Sequence, residues 1–173
     1  MLCQTSHRIG IFTVIISSIN GSIMKIDFRK SFREGTINNC QRNKNHELLA
    51  DFLNLRLSGV YQPPPTELKY SLPPGVLGRV LANLNKIPAG YVTTYSSLGR
   101  YLSLHPRRIG YYLSKNPLPI LIPCHRVVKS DLSLGGFSLG LDVKKILLES
   151  EGIKLLNNRI WRNHLIHLHE EDR

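Results

Sequence analysis

The segment "NPLPILIPCHRVVKS", residues 116–130, places a thiol, an imidazole and a guanidinium side by side directly after an apolar run. Prolines bound the run, and Pro123 immediately precedes Cys124. A short apolar run between such breakers is typical of a buried segment. A thiolate is nucleophilic, and an adjacent cation or hydrogen-bond donor lowers the pKa of a thiol. A single cysteine is more often a small core residue, but the Pro-Cys-His-Arg cluster makes Cys124 a candidate nucleophile.

His125 is the nearest candidate base for Cys124. Neighbouring residues on an extended segment point to opposite sides, so the imidazole must reach the sulfur through local backbone geometry or a bridging water. Such a base also needs a carboxylate to orient it. The last predicted helix supplies three candidate acids, Asp142, Glu149 and Glu151.

The composition favours a polyanionic partner. The 173 residues include 23 Lys and Arg against 12 Asp and Glu, which gives a formal net charge of +11. Binding of a basic protein to nucleic acid releases condensed counterions and is favoured by that release. The three cysteines, Cys3, Cys40 and Cys124, are an odd number and lack the spacing of a disulfide framework. We therefore expect at least one free thiol and an intracellular, cytoplasmic protein.

The apolar segments are too short for a membrane span. "IGIFTVII" and "LPILIP" are the longest of them, whereas a transmembrane helix needs about 20 apolar residues. The first residues lack a clean basic region and a small-residue cleavage site. We therefore expect no targeting signal and no membrane partner.

The N-terminal part, residues 1–66, is predicted to be a small β-rich domain with one helix. β-branched segments flank Asn20-Gly21, a pair that tolerates the positive φ of a tight hairpin turn. Three consecutive prolines within residues 58–67 predict a stiff linker and the domain boundary. The predicted elements are a hairpin at 8–28, a polar basic loop at 29–45 and a helix at 46–57.

The C-terminal part, residues 67–173, is predicted to be mainly helical, so the fold class is α/β in the α+β sense. Two short helices joined by a brief link predict a helix-turn-helix, and Pro106 suits the first turn of the second helix. Lys144 and Lys145 are expected on the solvated face of the last helix. The predicted elements are helices at 76–87, 96–102, 106–116 and from 142 onwards, a short extended piece ending at 95, a flexible loop at 130–140 and a short amphipathic helix within 154–173.

Six motifs in the C-terminal part resemble one known family. In order they are "VTTYSSL" (92–98), "PRRIG" (106–110), "SKNP" (114–117), "PCHRV" (123–127), "GGFS" (135–138) and "LLESEG" (147–152). With them, residues 75–153 resemble the O6-alkylguanine-DNA alkyltransferases. That family transfers the alkyl group from O6 of guanine in duplex DNA to its own cysteine, once per molecule and without a cofactor. The resemblance implies a DNA-repair methyltransferase, a suicide enzyme that flips the damaged base out of the helix and also accepts O4-alkylthymine.

The resemblance assigns four catalytic residues. Cys124 would accept the alkyl group as a thioether, and His125 would activate it through a water. Glu151 would orient the histidine and balance its charge. Tyr95 would face the flipped base and help to neutralise the leaving guanine.

The resemblance also implies residues that bind the base, namely Asn116, Arg126, Val127, Phe137 and Ser138. Asn116 matches a hinge between the helix-turn-helix and the cysteine segment. The backbone N–H of Ser138 would donate to O6, and the carbonyls of Cys124 and Val127 would accept from the exocyclic amine. Phe137 stands where a tyrosine is usual, which predicts a modest change in substrate range rather than a loss of activity.

Contacts with DNA are assigned to the helix-turn-helix, through Ser96, Arg107, Arg108 and Tyr111. Arg107 matches the arginine that fills the hole left by the extruded nucleotide, and its helix is expected in the minor groove. Arg108, Tyr111 and Tyr112 stand where small residues are usual, so their bulk should hinder close approach to the groove floor. Arg108 and Tyr111 would then reach phosphates. The expected partner is duplex DNA that contains O6-alkylguanine, bound by a monomer.

Three other functions explain fewer of these sequence features. A lesion binder without catalysis would have the same build, but such relatives replace the cysteine that Cys124 retains. A thiol-sensing DNA-binding regulator would need a further regulatory domain, and a cysteine peptidase would carry its nucleophile at a helix start. Zinc binding by Cys3, His7, Cys40 and His46 lacks tight ligand spacing, so we expect no metal and no cofactor.

Overall fold

A computed structural model describes residues 2–30 and 43–168. The chain divides into two compact units. The first unit comprises Met1–Pro73 and Pro117–Leu121, and the second comprises Pro74–Asn116 and Ile122–Arg173. Within these described residues, an antiparallel sheet and five α-helices make the fold α+β, as the sequence predicted.

The first unit is built on a three-stranded antiparallel meander of β1 (Leu2–Ile9), β2 (Phe12–Ile19) and β3 (Ser22–Arg29). The predicted hairpin is confirmed, because Asn20 and Gly21 form the turn between β2 and β3 with φ values of 50° and 79°. β1 was not predicted, since its residues are mostly polar and only partly buried. The predicted helix is α1 (Lys44–Leu57), whereas most of the predicted loop at 29–45 lies outside the described residues.

A buried imidazole ties α1 to the sheet. His46 is 1% exposed, and its two ring nitrogens hydrogen-bond Thr5 Oγ1 and Ser18 Oγ, each at 2.8 Å. Burial lowers the pKa of His46 to about 4, and the neighbouring His7 lowers it further. Cys3 is disulfide-bonded. Its sulfur is therefore not a thiolate ligand for the zinc site considered above.

The second unit carries the helix-turn-helix. Its helices are α2 (Gly75–Leu84), α3 (Tyr95–Tyr101), α4 (Pro106–Ser114) and α5 (Leu141–Ser150), and a short parallel pair joins β4 (Thr93–Thr94) to β5 (Val127–Val128). α3 and α4 are the predicted pair. They approach closely at Gly99, where an added Cβ would lie 2.6 Å from the carbonyl oxygen of Leu104.

The predicted amphipathic helix within 154–173 is wrong. The chain instead forms a hairpin of β6 (Leu155–Leu156) and β7 (Arg159–Ile160), followed by a 3-10 turn at Arg162–His164. Asn157 and Asn158 make the hairpin turn with φ values of 50° and 58°, because asparagine tolerates the left-handed region. Residues 169–173 lie outside the described part of the chain.

The solvated placement predicted for Lys144 is also wrong. The residue is 0% exposed, whereas the side chain of the neighbouring Lys145 is 47% exposed. Consecutive helical residues are about 100° apart around the axis, so one lysine can face the interior while the next faces solvent. Within residues 2–30 and 43–168, no helix is both long enough and apolar enough to cross a membrane.

Candidate active site

Cys124 begins a 3-10 turn, Cys124–Arg126, that leads directly into β5. The turn replaces the extended conformation expected for these residues. The thiol is free and 6% exposed, and the side-chain amide of Asn116 donates both to its Sγ and to the carbonyl of Ile122, each at 3.3 Å. Burial raises the pKa of the Cys124 thiol, while the Asn116 hydrogen bond and the charge of Lys144 lower it.

His125 and Glu151 form a buried pair, as the resemblance implied. His125 Nε2 lies 2.9 Å from Glu151 Oε1, and neither side chain is exposed. The predicted acid therefore reaches the predicted base from the residue that ends α5. The other two candidate acids, Asp142 and Glu149, form no such contact with His125 in the described part of the chain.

Arg126, which was expected to bind the base, instead contacts the His125–Glu151 pair. Its Nε and Nη2 donate to the two carboxylate oxygens of Glu151 at 2.8 and 3.0 Å, and Nη1 donates to the carbonyl of Ile87 at 2.7 Å. Burial by itself would raise the pKa of Glu151, but the hydrogen bonds and charges of His125 and Arg126 outweigh it and lower the pKa to about 2. The structure thus places Arg126 with the carboxylate and not with the residues that line the cavity.

A cavity of about 310 Å³ opens in front of Cys124. That volume is in the range of small-molecule sites. The cavity is lined by Tyr95, Gly110, Leu113, Ser114, Cys124, Gly136, Phe137 and Ser138. Four of the residues selected from the sequence, Tyr95, Cys124, Phe137 and Ser138, therefore meet at one cavity.

The glycine-rich loop after Leu134 forms one wall of the cavity. Gly135 has φ of 68°, and an added Cβ would lie 3.2 Å from a ring carbon of Tyr95 and 3.4 Å from its hydroxyl oxygen. Glycine at this position therefore lets the loop approach Tyr95. The ring of Phe137 meets His125 edge to face, with centroids 6.4 Å apart. Burial raises the pKa of Tyr95, which keeps its hydroxyl protonated as a donor.

The two carbonyls expected to accept from a base already have backbone or side-chain partners. Val127 O accepts from Lys144 Nζ at 2.7 Å, and the carbonyl of Cys124 accepts from the N–H of Val127. A carbonyl oxygen has two lone pairs. One such hydrogen bond does not by itself saturate either oxygen.

The exposed face of α4 is cationic and aromatic. Arg107, Arg108 and Tyr111 are exposed, and the first turn contains no acidic residue to balance the helix dipole. Arg108 Nη2 donates to the hydroxyl of Tyr112 at 3.2 Å, and Lys115 Nζ lies 5.8 Å from the centre of the Tyr111 ring. Such a face suits a polyanion.

Ser96, the remaining residue assigned to DNA, lies on the first turn of α3. Its Oγ is 2.9 Å from Ser130 Oγ, at the start of the segment predicted to be a loop. None of the four residues assigned to DNA, Ser96, Arg107, Arg108 and Tyr111, lines the cavity.

Four cavity residues were missed from the sequence: Gly110, Leu113, Ser114 and Gly136. Gly110, Leu113 and Ser114 are three and four positions apart on α4, which is the spacing of one helix face. That spacing, together with the helix-turn-helix prediction, could have identified them. Within the described ranges, no group of three His, Cys, Asp or Glu side chains could hold a metal ion.

Comparison with known proteins identifies the family of the chain. Residues 77–153 match the family model described as "6-O-methylguanine DNA methyltransferase, DNA binding domain". A methylated-DNA–protein-cysteine methyltransferase of Methanocaldococcus jannaschii is 34% identical over 129 residues, which are 73% of this chain and 77% of that protein. The solved structure of an O6-methylguanine DNA methyltransferase from Methanococcus jannaschii superposes with a TM-score of 0.68 at 28% identity, over 88% of this chain and 95% of that one.

Other matches are confined to a shorter region. A methylated-DNA–protein-cysteine methyltransferase of Pyrobaculum aerophilum is 56% identical over 66 residues, which are 38% of this chain and 45% of that protein. The chain therefore spans about half the length of this relative.

Proposed function

Since this chain belongs to the methylated-DNA–protein-cysteine methyltransferase family, we propose that it repairs DNA by transferring an alkyl group from O6 of guanine to Cys124. The observation that carries the proposal is the free thiol of Cys124 at a cavity, beside a buried His125–Glu151 pair. In the reaction the sulfur forms a bond to the alkyl carbon, and the bond from that carbon to O6 breaks. The product is a stable thioether, so each molecule acts once. O4-alkylthymine presents the same kind of carbon–oxygen bond and is the second proposed substrate.

The proton of Cys124 leaves through His125. Nε2 of the imidazole faces Glu151, so Nδ1 takes the proton, through a bridging water. The Glu151 carboxylate stabilises the imidazolium that results, because a buried carboxylate with a pKa of about 2 remains ionised. The negative charge then passes to the leaving guanine, which Tyr95 neutralises by donating from its hydroxyl. The backbone N–H of Ser138 donates to O6, and the carbonyls of Cys124 and Val127 accept from the exocyclic amine.

The damaged base reaches the thiol only after it leaves the duplex. Cys124 is buried at a cavity of about 310 Å³, whereas the target atom lies inside stacked bases, so extrusion is required. Arg107 fills the gap in the stack, and Ser96, Arg108 and Tyr111 contact the backbone of the DNA. The formal charge of +11 supports this partner. One chain supplies every group of the reaction, so we propose a monomer that acts in the compartment that holds the DNA.

Mass spectrometry of one peptide tests the transfer. The protein is mixed with a duplex that contains O6-methylguanine, and the tryptic peptide of residues 116–126 is weighed. We expect a stoichiometric gain of one methyl group on Cys124, none with an undamaged duplex and none in a Cys124→Ser variant. Tight binding of the lesion without any gain would establish a non-catalytic lesion binder instead.

A variant of α4 separates the flipping step from the chemistry. Arg107→Ala should lose repair of duplex DNA but retain reaction with a small free-base analogue of O6-alkylguanine, because the cavity does not include Arg107. Arg100→Ala, which removes a cation from the last turn of α3, is the matched control. Equal loss of both reactions in Arg107→Ala would contradict the role given to this residue.

A further inference from the structure

Lys144 is an ammonium group held in the interior of the second unit. The residue is 0% exposed, and its Nζ donates to the carbonyls of Val127 and Leu134. No carboxylate in residues 2–30 or 43–168 lies within ion-pair distance of it. A buried charge is costly unless a group of opposite charge accompanies it, so this position requires an explanation.

The two carbonyls lie next in sequence to two of the segments that line the cavity. Val127 directly follows the turn that begins with Cys124, and Leu134 directly precedes the glycine-rich loop that lines the cavity. α5 also packs against the Cys124–Arg126 turn. The ammonium therefore lies where the thiol segment meets the cavity wall.

Lys144 and Cys124 interact electrostatically. Burial lowers the pKa of Lys144 to about 8, and the negative charge of Cys124 raises it. In the opposite direction, the charge of Lys144 lowers the pKa of the Cys124 thiol. The other groups that face the thiol are the Tyr95 hydroxyl and the Asn116 amide, both uncharged at neutral pH, and the adjacent His125, whose Nε2 is hydrogen-bonded to Glu151.

We propose that Lys144 is the buried counter-charge of the Cys124 thiolate, a positioning residue that lies outside the six sequence motifs. The thiol proton still leaves through His125, and Lys144 stabilises the anion that remains. The inference rests on the proposed function only in that the thiolate is the attacking species. The hydrogen bonds from Lys144 to two carbonyls hold the ammonium in place, so the positive charge does not need to move as the thiolate forms.

The pH dependence of thiol reactivity tests the proposal without DNA. Lys144→Met and Lys144→Gln are treated with iodoacetamide, whose carbon–iodine bond breaks as the sulfur–carbon bond forms, and labelling of the 116–126 peptide is followed against pH. We expect the midpoint to move to higher pH in both variants. At neutral pH the smaller thiolate fraction, partly offset by the greater nucleophilicity of that thiolate, predicts slower labelling in both variants. Lys145→Met, an exposed change on the same helix, should keep the original profile.

The Lys144→Gln variant distinguishes the effect of the positive charge from the effect of the hydrogen bonds to the two carbonyls. The amide of Lys144→Gln still donates hydrogen bonds but carries no charge. If Lys144 only held the loop, Gln would restore the original profile while Met would not, and that result would overturn the proposal. An unchanged profile in both folded variants would overturn it as well.

A reciprocal measurement covers the case in which neither variant folds. Two coupled sites affect each other's binding free energy equally, so the Lys144 ammonium should titrate at lower pH in a Cys124→Ser variant than in the original protein. The titration is followed by NMR of ¹³C-labelled lysine side chains. Identical titration in the two proteins would refute the coupling. Because neither measurement uses DNA, a failure of methyl transfer and a failure of the coupling give different results.

Discussion

Replacement of Glu151 by glutamine would remove one negative charge from a site where it accepts hydrogen bonds from His125 and Arg126. Those contacts lower the pKa of Glu151 from 4.5 to about 2, against the effect of its burial. Each tenfold change in a proton equilibrium corresponds to about 1.4 kcal/mol. The ionised carboxylate is therefore favoured in the folded state by about 3 kcal/mol, relative to the unfolded chain.

The sign of the pH effect follows from the direction of the shift. Since the folded pKa lies below the unfolded one, the stability is present in full above about pH 4.5 and is lost as the pH falls towards 2. Glutamine resembles the protonated acid. We therefore expect Glu151→Gln to lower the free energy of unfolding by about 3 kcal/mol at neutral pH, with a difference that shrinks steadily below about pH 4.5.

Urea unfolding followed by tryptophan fluorescence provides the measurement. Trp161 is the single tryptophan of the chain, and it lies in the second unit with Glu151. Glu149→Gln is the control, because the side chain of Glu149 is 49% exposed and its contact with Lys145 is 3.9 Å long; such a change should cost less than about 0.5 kcal/mol. A cost in Glu151→Gln that is equal at neutral and acidic pH, or below about 1 kcal/mol, would refute the reasoning.

Two further predictions concern the fold. Gly99→Ala should lower the free energy of unfolding by at least about 2 kcal/mol in thermal melts, because the new Cβ would lie 2.6 Å from the Leu104 carbonyl oxygen. Gly110→Ala should be neutral or stabilising, because the nearest atom to its new Cβ outside its own helix is a ring carbon of Tyr95 at 3.9 Å. The pKa of His46 is about 4 in the folded protein and ordinarily 6.5, so protonation favours the unfolded state. The free energy of unfolding of the first unit should therefore fall by about 3 kcal/mol as the pH falls from 6.5 to about 4. Hydrogen exchange of its sheet amides measures this loss, and a His46→Gln variant with the same pH dependence would contradict it. His7, whose pKa is also lowered, should leave a smaller residual slope in that variant.

Elements with strong local signals could be predicted from the sequence. Asn20-Gly21 specifies a turn by its backbone tolerance, and Pro106 marks the first turn of α4. The tail at 154–168 was assigned wrongly, because the spacing of Ile160, Trp161 and Leu165 is compatible with one helix face and the turn signal of Asn157 and Asn158 was not used. The hairpin there depends on burial of Ile160 in a core with Val92 and Leu148, contacts that local spacing does not encode.

The candidate site divides in the same way. Cys124, His125 and Glu151 were selected from motifs, and the structure brings them together. Arg126 and Lys144 could not be placed, because a charged side chain is usually solvated and its type alone does not say when it is buried. Their positions depend on the packing of α5 against the Cys124–Arg126 turn.

Charge balance relates the two cations Arg126 and Lys144 to the thiol. Arg126 donates twice to Glu151, and His125 occupies the same carboxylate, so that charge is already matched and is not available to Lys144. With a neutral thiol and a neutral His125, the charges of Arg126, Lys144 and Glu151 leave one uncompensated positive charge. Once the thiol proton has passed through His125 to solvent, the thiolate at Cys124 brings the sum to zero. In a buried site the neutral sum is the less costly one, so the arrangement of Arg126, Glu151 and Lys144 favours the ionised, nucleophilic form of Cys124 against the burial that opposes it.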